Sequence, residues 1–160
     1  MNVHVRLPAI VGASLLAATC GGGTPVPSSP SGQQSFLTGT WTGTLTIDRE
    51  GEPSTSGNVS WTFTPVDGTN LQTFSVTIRS QNPWLTTTAT VTSAITPSNQ
   101  PPVRISTTGS YPSPRGCTGT MLSVGNADRA SIAADFSGVD CPSLAQSTFR
   151  GHVVLSKTSS

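Results

Sequence analysis

From Thr38 onward the chain alternates between apolar and polar residues. In Thr40-Trp41-Thr42-Gly43-Thr44-Leu45-Thr46-Ile47-Asp48, Trp41, Gly43, Leu45 and Ile47 occupy every second place and threonines fill the gaps. A period of two puts the first set on one strand face and the second on the other. Threonine suits the outward face, being β-branched yet polar. The pattern recurs in Asn58–Thr64, where Val59, Trp61 and Phe63 point inward. A turn over Pro65–Thr69 containing Asp67-Gly68 follows, and Phe74, Val76 and Ile78 mark a third strand.

A fourth strand is predicted near Leu85–Ser93, with Leu85, Ala89 and Val91 on one face. Pro97–Pro102 interrupts the chain before a fifth strand carrying Val103, Ile105 and Thr107. The sixth runs from Cys117 to Val124 and ends in a turn at Gly125-Asn126-Ala127-Asp128. Ala130, Ile132, Ala134 and Phe136 mark the seventh; Phe149, Gly151, Val153 and Leu155 mark the eighth. The segment 38–160 carries no helical period.

Consecutive strands on short connections imply an all-β antiparallel meander. Such a meander hides its edges by closing into an eight-stranded up-and-down barrel, the eighth strand pairing with the first. A β-sandwich is the alternative. Thr38-Gly39-Thr40-Trp41 resembles the Gly-x-Trp start of the first strand in lipocalin-like and avidin-like barrels. The resemblance rests on that motif and the strand count, and it implies a tryptophan packed across the closed end. The ligand residues of avidins have no counterpart here.

The N-terminus has a different character. After Arg6, the apolar run Leu7–Ala18 is shorter than the roughly 20 residues a bilayer span needs. It has the length and polarity of a secretory h-region. It ends Leu15-Leu16-Ala17-Ala18-Thr19-Cys20, followed by Gly21-Gly22-Gly23-Thr24-Pro25-Val26-Pro27. This resembles a bacterial lipoprotein signal, with two departures: Leu16 stands four residues before the cysteine rather than three, and Thr19 replaces the usual Gly or Ala. The resemblance implies a signal peptide at 1–19, lipid attachment at Cys20 and a flexible linker through residue 37. The barrel domain then spans 38–160. An ordinary secretory peptide is the alternative. Gly21 stands where an Asp would signal inner-membrane retention, so a lipid-anchored cell-envelope protein of the outer membrane is expected. The Gly/Pro/Ser composition of the linker holds the domain away from its anchor.

Composition narrows the partners. Only 9% of residues are charged, and the eight basic residues become seven once Arg6 is removed, against seven acidic ones. A neutral mature chain without a Lys/Arg cluster argues against nucleic acid and against electrostatic docking on anionic membranes. Membrane attachment is then through the N-terminal lipid. With Cys20 acylated, Cys117 and Cys141 remain as an even pair in an oxidising compartment, and a disulfide between them is expected. Pairing the sixth and seventh strands sets Cys117 opposite about Phe136, with Cys141 just beyond. Closing that loop of about 25 residues is worth roughly 3.5 kcal/mol in the chain-entropy account. Two cysteines without nearby histidines do not suggest a metal, and no cofactor is implied.

Catalytic chemistry is thin. His152 is the one histidine left after the signal and alternates to the outer face; no serine sits in Gly-x-Ser-x-Gly; Asp48, Glu50 and Glu52 read as a solvated acidic turn. No catalytic residue is assigned and the protein is read as non-enzymatic. The loops Arg49–Gly57, Arg79–Pro83, Gly109–Gly116 and Ser137–Ser147 share the end away from the linker. They carry Trp84 nearby, Tyr111, Arg79 and Arg115. Aromatics beside polar groups on loops suit recognition, and Trp84 and Tyr111 equally suit plugs of the barrel mouth. Two functions follow. One is a tethered module holding a small apolar ligand inside the barrel. The other is a structural or protein-interaction lipoprotein, protease inhibitors included, with a filled core and an envelope protein as partner.

Overall fold

The computed structural model describes residues 35–69, 71–96, 101–142 and 148–158. The expected signal segment, Cys20 and the expected linker up to residue 34 lie outside the described residues. A 3-10 turn, Ser35–Leu37, precedes eight strands: β1 Gly39–Asp48, β2 Thr55–Pro65, β3 Thr73–Ser80, β4 Thr87–Thr96, β5 Val103–Pro112, β6 Thr118–Ala127, β7 Ser131–Val139 and β8 Thr148–Lys157. Each pairs antiparallel with the next, and β8 pairs with β1 from Trp41↔Lys157 to Asp48↔Arg150. The architecture is a closed up-and-down barrel, not a sandwich.

The alternation read from sequence sets the two faces. Trp41, Leu45, Ile47, Val59, Trp61, Phe63, Phe74, Val76 and Ile78 are buried, while the threonines between them face outward. Outward hydroxyls pair across strands, as in Thr40–Thr62 at 3.1 Å and Thr46–Ser56 at 2.9 Å. At the linker end the barrel is sealed. Trp41 is fully buried, and its indole Nε1–H donates to the carbonyl of Leu37 at 2.8 Å. The Lys157 ammonium lies 5.4 Å from the Trp41 ring centroid and donates to the carbonyl of Phe36. The tryptophan thus occupies the closed end, where the Gly-x-Trp resemblance implied it.

Large rings fill the interior. Trp61, Phe63 and Phe74 form one chain, with centroids 6.1 and 5.9 Å apart. Tyr111, Phe149 and Phe136 form another, at 6.4 and 5.7 Å. Two of these rings lie over glycines on the neighbouring strand. A Cβ on Gly119 would meet the Tyr111 ring at 2.3 Å, and one on Gly138 would meet Phe149 at 2.3 Å. Both pairs are direct cross-strand partners. Across β4, β5 and β6 the inward row is instead Ser93, Thr107 and Ser123; the Thr107 hydroxyl donates to Ser93 at 3.0 Å. Ser123 Oγ, also buried, has no hydrogen-bond partner among the described residues.

Several boundaries differ from the sequence reading. β4 begins at Thr87, so Leu85 lies in the preceding loop, though its side chain is still buried. Its inner face continues to Ser93 and Ile95. β6 extends to Ala127 and the β6–β7 turn lies at 128–130, past the expected Gly125–Asp128. Asp128 is the cause. Its Oδ1 accepts the backbone N–H groups of Ala130 and Ser131, both at 2.7 Å, and its Oδ2 accepts the Ser131 hydroxyl at 3.0 Å. The Ala130 amide and then the two Ser131 bonds hold this carboxyl below the usual Asp range. The later turn shifts the pairing: Ser123, not Cys117, faces Phe136, and Thr120 faces Val139. Cys117 therefore stands directly beside Cys141.

Trp41→Ala removes the seal, its hydrogen bond and its packing, and should lower unfolding stability in urea by about 3–5 kcal/mol. Thr90→Ala, on the exposed face of β4, should cost about 1 kcal/mol or less. Similar losses for the two variants would contradict a closed end organised by Trp41.

Candidate functional site: the linker-distal rim

The loops after β1, β3, β5 and β7 gather at the end of the barrel opposite Trp41. These loops are 49–54, 81–86, 113–117 and 140–147, of which 143–147 lie outside the described residues. Three of the four sequence candidates meet here.

Tyr111 is one of them, at the end of β5. It is 1% exposed, and its hydroxyl donates to Asp140 Oδ1 at 3.0 Å. Asp140 is itself buried, and its Oδ2 lies 3.5 Å from Arg115 Nε. Burial, and after it the adjacent Asp140 charge and hydrogen bond, push the Tyr111 pKa well above its ordinary value, against a smaller opposing pull from Arg49 and Arg115. Trp84 is half-buried above this group. The Arg49 guanidinium carbon sits 4.5 Å from its ring centroid, and that of Arg115 5.9 Å away.

Asn82 holds Trp84 in place. It is fully buried. Its Nδ2 donates to the carbonyls of Leu45 and Thr55, both at 3.0 Å. Its Oδ1 accepts the Thr55 hydroxyl and the Trp84 backbone N–H, both at 3.0 Å. Every donor and acceptor of the amide is used, which ties the β3–β4 loop to β1 and β2. Gly57 makes room for it, since a Cβ there would lie 2.4 Å from Asn82 Cα. Sequence reading missed Asn82. The available signal was an Asn in the short Gln81-Asn82-Pro83 connection, a turn residue by composition. Asp140 was also missed, although its neighbour Cys141 was singled out.

The expected disulfide joins Cys117 to Cys141, with Cα atoms 5.4 Å apart. It ties the β5–β6 hairpin tip to the loop carrying Asp140. Asp140 lies within 4.8 Å of both sulfurs, but bonded sulfurs offer no thiolate, so this trio is not a metal site. Between Ile47, Arg49, Trp84, Leu85, Asp140 and Phe149 remains a cavity of about 10 Å³. That is room for one water at most.

Arg79 does not join the rim. β3 continues through Ser80, and alternation from Ile78 turns Arg79 outward between Ser60 and Thr88. His152 faces outward as expected, with its Nδ1 3.3 Å from Asp135 Oδ1 on the exposed barrel wall. Glu50 and Glu52 are exposed, and Asp48 accepts a hydrogen bond from the Ser54 hydroxyl. No family model, curated protein or solved structure matches this chain.

Tyr111 is the only tyrosine of the chain, so phenolate absorbance reports this site alone. In the unfolded chain it ionises at the ordinary value of 10.0, whereas the folded protein keeps the proton. Above that pH the unfolded state binds fewer protons than the native state, so stability is full below pH 10 and falls as pH rises beyond it. The native protein should show no phenolate step near pH 10, the step arriving only with unfolding. Tyr111→Phe should flatten this dependence. A reversible step near pH 10 with unchanged circular dichroism would contradict the burial.

Proposed function

We propose that the protein is a non-enzymatic, lipid-anchored cell-envelope protein whose filled barrel is a scaffold for recognising a protein partner at the linker-distal rim. One observation carries this reading. The mouth that would admit a ligand is stoppered by Tyr111, hydrogen-bonded to Asp140 and braced by the disulfide. Function is then carried by the exterior. The rim offers a half-exposed tryptophan with two arginines beside it, residue types enriched where proteins bind one another. It also faces away from the end where the linker enters, so a tether at Cys20 leaves it accessible.

An apolar ligand inside the barrel is the weaker reading. Its space is taken by Trp61, Phe63, Phe74, Tyr111, Phe136 and Phe149, as an eight-stranded barrel permits. The resemblance of the N-terminus to a lipoprotein signal supports the anchor and, through Gly21, an outer-membrane address. Neutrality of the mature chain leaves nucleic acid without an electrostatic foothold.

In cells, a photo-crosslinking residue at Pro83, on the rim, should yield a defined protein adduct. The same residue at Thr90, on the barrel wall, should not. Combined replacement of Trp84 and Arg115 by alanine should remove the Pro83 adduct. Adducts of equal yield from both positions, or none from the rim, would contradict recognition there. So would fatty acids extracted in stoichiometric amount from the purified barrel.

A further inference from the structure

On the rim a buried carboxylate, an indole and two guanidiniums stand together. Asp140 is a carboxylate at 4% exposure. Its Oδ1 takes the Tyr111 hydroxyl at 3.0 Å, but among the described residues the contact to Oδ2 is Arg115 Nε at 3.5 Å. That is longer than the 2.7–3.2 Å or so of a full N–H···O bond, so Oδ2 keeps acceptor capacity. Beside it is the small cavity, lined by Ile47, Leu85 and Phe149 and walled by the indole of Trp84. Arg49 lines the same cavity, its guanidinium carbon 4.5 Å from the centroid of that indole. A buried carboxylate, an aromatic face and apolar walls are the chemistry that recognises a guanidinium or ammonium group. Arg49 belongs to the loop between β1 and β2, whose neighbouring residues Glu50 to Ser54 are exposed. Its departure would open the cavity toward solvent.

We infer that this pocket takes an arginine side chain of a partner polypeptide, with Arg49 as the intramolecular occupant it displaces. This rests on the reading of the rim as a protein-recognition surface and names its chemistry. Guanidinium is the favoured head group because guanidiniums already occupy the indole, and its planar fork matches a carboxylate with free lone pairs. Arg49 then acts as a competitor: the free protein holds the pocket closed, and a partner must outbind a tethered guanidinium.

The test uses N-acetyl-arginine-methylamide as probe. The citrulline analogue serves as a neutral isostere, the lysine analogue as an ammonium side chain, and tetramethylammonium as a small-molecule cation. Binding is followed through the three indole N–H resonances of Trp41, Trp61 and Trp84. The Trp84 resonance alone should move. Arg49→Ala should bind the arginine probe about tenfold more tightly than the wild-type protein, the tethered guanidinium that competes for the indole face having been removed. Adding Asp140→Asn should abolish the gain while the Trp41 and Trp61 resonances stay in place. If that variant does not fold, Arg49→Ala with Trp84→Leu, titrated by calorimetry, serves the same end.

Equal affinity of wild type and Arg49→Ala, or equal binding of the citrulline and arginine probes, would overturn the inference. Preference for the lysine probe or tetramethylammonium over the arginine probe would also overturn it. The outcomes separate from those of the functional proposal. A rim crosslink without cation binding removes the pocket and keeps the interface. Cation binding without a rim crosslink does the reverse.

Discussion

Pairing of β8 with β1 closes eight strands into a ring, and closure at that number fixes an interior that side chains can fill. The rest of the molecule follows from how that volume is divided. Seven buried aromatic side chains on the inner face would overfill it if every inward position were large. Glycines at 119 and 138 accept the faces of Tyr111 and Phe149, and the row Ser93–Thr107–Ser123 stays small. One end closes on Trp41 under the 3-10 turn and Lys157; the other closes on Tyr111 under Asp140. With no strand edge exposed, the outer wall carries mainly threonine and serine and few charges.

This economy explains which parts of the fold were legible in the chain. The inward positions of β1, β2, β3 and β8 follow a strict period of two, and their burial matches it. Legibility weakened where the inner face turned polar or small. Thr87, Ser93 and Ser123 face the core but read as solvent positions by type, and this misplaced the start of β4 and the end of β6. The β6–β7 turn was misplaced by about three residues. Gly125-Asn126 has the composition of a turn, yet Gly125 is a strand residue pressed against β7, where a Cβ would meet the Ala133 carbonyl oxygen at 2.2 Å. The actual turn is set by three hydrogen bonds to one carboxylate, Asp128, which no period reveals.

The candidate site was legible in outline. Trp84, Tyr111, Arg115 and the cysteine pair were placed at one end by topology alone, because odd-numbered loops of a meander share an end. What joins them is long-range and side-chain-specific. Asp140 meets Tyr111 across 29 positions, and Asn82 meets Leu45 across 37. Neither contact leaves a local pattern. Arg79 was grouped with them because β3 runs to Ser80, two residues past Ile78, where the alternation of apolar residues stops.

The account makes the barrel a filled scaffold on a tether, with recognition at the rim where Trp84 stands between Arg49 and Arg115. Its central claim concerns the interior and the anchor together, and native mass spectrometry of the full-length protein released from bacterial membranes tests both. The account predicts a chain beginning at Cys20 with added acyl mass and no further non-covalent mass. A soluble chain cut elsewhere, or a one-to-one ligand that leaves only on denaturation, would contradict it.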